Sequence, residues 1–210
     1  MSLIRPSILL LAVWAYASSA PLDALLKGVE SRYNKARTLQ VLFKEEYTPP
    51  GGAHRTESGL LMLRKPGRMR WIYSQPPGKL FVSDNKFLYL YTPSENRVEK
   101  MKLQESEDMR APLAFLLGKL NFDKEFQNLK ATPEGADTRI TGEPKTDNLP
   151  YSQVEFVVTP DYRIRQVKVT GFDRSILDFS FDQERVDPQL DARLFQFQVP
   201  KGAEMVETEQ

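Results

Sequence analysis

Few residues in this chain are of a type that could carry out chemistry. The single histidine, His54, stands beside Arg55 in a loop that also contains Pro49-Pro50-Gly51-Gly52. A general base needs a reacting group within hydrogen-bond reach, and a lone loop histidine is more often simply hydrated. Carboxylates stand close together at Glu45-Glu46 and at Glu105, Glu107 and Asp108, where an acid/base pair could be sought. On a strand or in a loop, such charges usually face water. The chain has no cysteine, which excludes a disulfide framework, a thiolate nucleophile, a zinc–cysteine site and acylation of the chain itself as a lipoprotein. No G-x-S-x-G, P-loop or dinucleotide fingerprint occurs. Lysine plus arginine (29) balances aspartate plus glutamate (28), so no net field draws the chain to nucleic acid or anionic membrane. The inventory is not that of an enzyme, and no cofactor or metal is expected.

The apolar inventory is larger. Twelve Phe, eight Tyr, six Met and two Trp fall mostly on alternating segments. Leu39, Val41 and Phe43 alternate with polar residues, as do Met69, Trp71 and Tyr73, and later Phe87, Tyr89 and Tyr91. Two readings fit this pattern. One is a sheet core packed under helices. The other is a curved sheet that holds a ligand under a helical cover instead of packing solid.

The elements that would position these side chains can be read in order. Arg5 and the apolar run Ile8 to Ala17 have the layout of a secretory signal, too short for a membrane-spanning helix. Cleavage after Ala17 fits the A-x-A pattern; cleavage after Ala20 would place Pro21 beside the scissile bond. Residues 18–210 then form one domain. Leu22, Leu25, Leu26, Val29 and Tyr33 put an apolar stripe on a helix from about Leu22 to Ala36. Short strands follow, with turns at Lys65-Pro66-Gly67, Asp84-Asn85 and Pro93-Ser94. Ala111 to Leu117 reads as a helix apolar nearly all round, begun by Pro112 and ended by Gly118. Strands resume at Phe126, Asp137, Gln153, Ile164 and Ser175, and a last one is expected at Leu194 to Val199. The fold class is α+β.

Several of these residues resemble a known family. Lys65-Pro66, Met69-Arg70-Trp71, Gln75-Pro76, Phe81-Val82-Ser83-Asp84-Asn85-Lys86 and Tyr89-Leu90-Tyr91-Thr92-Pro93 look like the LolA family of periplasmic lipoprotein carriers. Ala111-Pro112-Leu113 and Phe195-Gln196-Phe197-Gln198-Val199-Pro200-Lys201-Gly202 continue the resemblance in order. It implies an incomplete, unclosed antiparallel β-barrel of about ten to eleven strands, with a helical lid over an apolar cavity. It also implies a soluble periplasmic carrier that takes lipoproteins from a LolCDE-type ABC transporter in the inner membrane. Delivery would be to an outer-membrane acceptor of LolB type, and the carrier would be monomeric. Acyl chains would contact Leu39, Val41, Phe43, Leu61 and Leu63, then Met69, Trp71 and Tyr73. Phe87, Tyr89 and Tyr91 would add to the wall, with Leu113, Phe115 and Leu116 from the lid and Val154 and Phe156 from the second half. The family latches its lid with an arginine before the proline. Lys65 stands there in this sequence, and lysine can donate to a lid carbonyl but lacks the planar fork. Asn85 replaces the family's usual glycine and tolerates the same left-handed turn. A lipid- or lipoprotein-sensing regulatory domain of the same fold is the alternative function.

Overall fold

The computed structural model describes residues 22–102, 120–146 and 150–207. The signal-like segment and the apolar run Ala111 to Leu117 lie outside the described residues. Helix α1 (Leu22–Lys35) carries its stripe inward, with Leu25, Leu26, Val29 and Tyr33 buried. Asp23 in its first turn and Arg32 and Lys35 in its last complement the helix dipole. At the corner beyond it, Asp187 Oδ1 accepts the backbone N–H groups of Arg37 and Thr38 at 2.7 and 3.2 Å. These two hydrogen bonds hold the Asp187 carboxyl below its ordinary pKa.

The strands are β1 (Thr38–Thr48), β2 (Arg55–Arg64), β3 (Arg68–Gln75), β4 (Leu80–Asp84), β5 (Phe87–Thr92) and β6 (Arg97–Lys102). A single-turn helix α2 (Phe122–Glu125) leads into β7 (Phe126–Glu134) and β8 (Asp137–Pro144). Then come β9 (Tyr151–Val158), β10 (Ile164–Gly171), β11 (Ile176–Val186) and β12 (Glu204–Glu207). All twelve join one sheet in the order β12-β6-β5-β4-β3-β2-β1-β11-β10-β9-β8-β7. The sheet is therefore a meander whose two halves are sewn together by β1 and β11, and its ends, β12 and β7, do not pair. The turns keep the chemistry their residues suggest: Gly67 has φ +66°, and Asn85 has φ 86°. A Cβ at Gly67 would collide with the Asn85 side chain, so these two turns fit only together.

Three expectations are corrected. Among the described residues the strands number twelve rather than ten to eleven. The segment Leu194 to Val199 is not a strand: Ala192–Phe195 forms a 3-10 turn begun by Asp191, whose Oδ1 accepts the Arg193 N–H at 2.9 Å. Its apolar alternation arises because Phe195 is buried where this turn lies across β3 and β4, while Phe197 stacks on Tyr89. The final strand is β12, which pairs parallel with β6, so the sheet is not wholly antiparallel.

The sheet is strongly curved. Trp71 on β3 and Phe179 on β11 are three strand steps apart, about 14 Å on a flat sheet. Their ring centroids lie 5.7 Å apart, over Phe43. Gly59 permits this. It faces Phe43 and Tyr73 across the two adjoining strands, whose rings meet edge-on at 5.2 Å, and a Cβ at Gly59 would lie 2.1 Å from Ile72 O.

Candidate inner wall

Paired residues in a ladder share a face, so the register alone defines the inner wall. One row crosses the first half as Val41–Leu61–Trp71–Phe81–Leu90, and the next as Leu39–Leu63–Met69–Ser83–Leu88–Met101. In the second half a matching row runs Ile140–Phe156–Val167–Phe179. Val154 joins the same side through its pairing with Val169, itself opposite Leu177. Leu39, Val41, Phe43, Leu61, Leu63, Met69, Trp71, Tyr73, Val154 and Phe156 thus belong to one buried apolar cluster, which also contains the stripe of α1. Phe81, Leu88, Ile140, Val167 and Phe179 belong to it as well. They lie on strands the sequence marks out, but β4 and β5 carry apolar residues on both faces, so their alternation does not say which face turns inward.

Phe87, Tyr89 and Tyr91 do not join this wall. Ser83 pairs with Leu88 and Phe81 with Leu90, which turns the three aromatic rings to the outer face. There Tyr89 stacks on Phe197 with centroids 4.8 Å apart, and Lys100 Nζ lies 4.3 Å over the Phe87 ring. The reason is that β5 reads Phe-Leu-Tyr-Leu-Tyr, apolar on both faces, and its aromatic face meets the C-terminal segment. Leu113, Phe115 and Leu116 lie outside the described residues.

The wall is filled by its own side chains. Trp71, Phe156 and Phe179 are each at most 1% exposed. Where α1 meets the sheet there are two voids of about 10 Å³ each, one beside Leu39 and Leu63 and one beside Val41, Ile164 and Phe181. Each could hold about one water at most. A groove of about 1170 Å³ lies outside the end of α1, but Asn34, Lys35, Arg37, Arg64, Asp187 and Asp191 make its lining polar. It does not suit acyl chains.

Polar contacts hold α1 against the wall. Lys65 Nζ donates to Tyr33 O at 2.7 Å, and burial lowers its pKa. Tyr33 Oη donates to Glu184 Oε2 at 2.6 Å, and Arg32 pairs with Glu184 Oε1 at the same distance. Burial first, and then the Glu184 charge, push the Tyr33 hydroxyl strongly up from its ordinary value. Asn34 exchanges two hydrogen bonds with the Leu120 backbone, and Glu30 accepts the Phe122 N–H at 2.8 Å. Lys65 was legible as a donor near a helix. Tyr33 and Glu184 were not, because 151 residues separate them.

The chemical candidates stay apart. His54 Nδ1 lies 2.8 Å from Thr48 Oγ1 in the exposed β1–β2 loop, and Nε2 lies 3.8 Å from Glu46. Glu45 and Glu46 point to opposite faces of β1. Among the described residues no three His, Asp or Glu side chains gather as a metal site. Glu105, Glu107 and Asp108 lie outside the described residues.

A family model described as outer membrane lipoprotein carrier protein LolA matches residues 34–198. A protein of Methylibium petroleiphilum named outer-membrane lipoprotein carrier protein is 29% identical over 208 residues, covering 96% of this chain and 98% of its own. One of Chromobacterium violaceum with the same name is 27% identical over 199 residues, covering 93% and 91%. Among solved structures, an uncharacterized conserved protein from Thermus thermophilus has a TM-score of 0.52 at 14% identity, over 89% of this chain and 99% of that one. That likeness concerns the fold.

Proposed function

Because the chain belongs to the LolA family of outer-membrane lipoprotein carriers, we propose that it binds lipoprotein acyl chains against the inner wall and ferries them across the periplasm. It receives cargo from a LolCDE-type transporter and delivers it to the outer membrane through an acceptor of LolB type. The supporting observation is the continuous apolar face from Leu39 to Phe179, covered by a helix that polar contacts tether at its margins. Each methylene withdrawn from water contributes about 0.8 kcal/mol, so a multi-chain anchor needs such a face to leave a bilayer. The rings of the wall pack on one another under α1, so cargo must displace them and the helix, and release is helped by their return. Met69 and the aromatic side chains suit a face that repacks. The wall is assigned to Leu39, Val41, Phe43, Leu61, Leu63, Met69, Trp71, Tyr73, Val154 and Phe156.

In this reading Lys65 favours the closed state. A ligand shifts such an equilibrium only through its differential affinity for the two states. Lys65→Leu, with the latch removed and the wall intact, should bind an apolar fluorescent probe several-fold more tightly. It should release labelled lipoprotein to outer-membrane vesicles more slowly. Transfer from inner- to outer-membrane vesicles by the unaltered chain separates a carrier from a lipid sensor. Binding without transfer, or identical probe affinity in the variant, contradicts the proposal.

A further inference from the structure

The last turn of helix α1 is attached on two sides, and the two attachments differ in kind. On the β2–β3 side the contact from Lys65 is one ammonium on the Tyr33 carbonyl. That carbonyl lies in the last helical turn, where acceptors have no intrahelical donor, so Lys65 caps the helix end and water can replace it. On the β10–β11 side several bonds converge on one carboxylate. Glu184 Oε1 accepts from Arg32 Nε at 3.1 Å and Nη2 at 2.6 Å, and Oε2 accepts from Tyr33 Oη at 2.6 Å. The Tyr33 oxygen in turn accepts the buried Ile164 N–H at 2.9 Å. The Glu184 side chain is 7% exposed, against 27% for Arg32, so water screens the carboxylate little. On the same side the Tyr162 ring occupies the place of a side chain at Gly28, where a Cβ would lie 2.3 Å from a ring carbon.

We propose that Glu184, with Tyr33 and Arg32, is the fixed edge of α1, so that the helix opens as a flap from the Lys65 side. Opening would begin at the small void lined by Tyr33, Ala36, Leu39, Leu63 and Lys65. Cargo would then enter between α1 and the β2–β3 end, with the β10–β11 side closed throughout. A flap of this kind needs one line of contacts that parts and another that does not. The Lys65 contact leaves behind a carbonyl that water satisfies. Parting the other edge would strand a carboxylate and a guanidinium that are now paired. The bonds from Asn34 and Glu30 reach the backbone of Leu120 and Phe122, and Phe122 is buried against Phe126 of β7 and Phe156 of β9, so they belong with the fixed side. The inference rests on the carrier reading in taking α1 as the part that moves, but the asymmetry of its edges involves no cargo.

Amide hydrogen exchange on the full mature chain tests it at two positions. One is the Ile164 amide, bonded to Tyr33 Oη; the other is the amide of residue 65, bonded to Arg37 O at 2.9 Å. Lys65→Leu should speed exchange at residue 65 on the order of tenfold and leave Ile164 protected. Tyr33→Phe removes one hydroxyl and should speed exchange at Ile164 on the order of tenfold, as expected for one buried hydrogen bond. Equal acceleration at both amides in Lys65→Leu would mean that the helix lifts as a whole, and would overturn the proposal. So would an unchanged Ile164 rate in Tyr33→Phe. If Tyr33→Phe loosens the sheet generally, seen as equal acceleration at Val169, Glu184→Gln takes its place and the same two amides decide. No lipid enters the measurement, so a chain that carries no lipoprotein would still give a clear result here.

Discussion

Trp71→Ala should lower the melting temperature by roughly 6–20 °C, from about 3–5 kcal/mol lost and about 2–4 °C per kcal/mol in a domain of this size. Trp71 is 1% exposed and sits at the centre of the inner wall. Its ring meets Phe43 edge-on at 4.7 Å and Phe179 at 5.7 Å, and its Nε1 donates to Met69 Sδ at 3.4 Å. Truncation removes the side chain that joins the two halves of the curved sheet, and the gap it leaves is lined by apolar atoms. Such a gap stays dry and receptive to hydrocarbon. The loss should therefore be partly recovered when the variant is melted in excess acyl ligand, since binding to the native state alone raises apparent stability. Thermal melts with and without ligand read both effects. A fall below about 2 °C would mean that the ring is not packed as described.

Met69→Glu should abolish lipoprotein retention near neutral pH while the sheet still forms. Met69 is 8% exposed, between Leu63 and Ser83 in the inner row. An unpaired carboxylate there costs several kcal/mol, against the empty wall and against bound acyl chains alike. The burial that penalises the charge also raises the pKa of the new carboxyl, so the neutral form returns as pH falls through that raised value. Retention should recover in part on acidification, and stability with it. Co-purification of labelled lipoprotein across a pH series measures this. Retention equal to the unaltered chain at neutral pH would remove Met69 from the binding face.

The fold was largely legible because its signals are local. The α1 stripe from Leu22 to Tyr33 needs only a period near 3.6, and the turns at Gly67 and Asn85 need only residues that tolerate positive φ. The lost information was of another kind. On β3, Met69, Trp71 and Tyr73 alternate with Arg68, Arg70 and Ser74, so polarity chooses the face. On β5 every residue from Phe87 to Tyr91 is apolar, and the face is chosen by pairing with β4 and by Phe197, 108 residues beyond Tyr89. Phe195 and Phe197 misled for the same reason: a segment laid across a sheet buries alternate residues much as a strand does. The Glu184 clasp is long-range, and a glutamate on a strand looks like any solvated charge until the helix that covers it is in place. Whether the apolar wall stands open or packs shut is also not written in alternation, because both states bury the same residues.

If the inner wall receives acyl chains, bound lipid should survive gentle isolation. Native mass spectrometry of the chain, gently isolated from cells that make it, reads this. The carrier account predicts a fraction carrying the added mass of a lipid or lipoprotein. It also predicts that this mass is lost in Met69→Glu and retained in Lys65→Leu. A chain found only at its own mass, in cells whose lipoproteins are being exported, would contradict it.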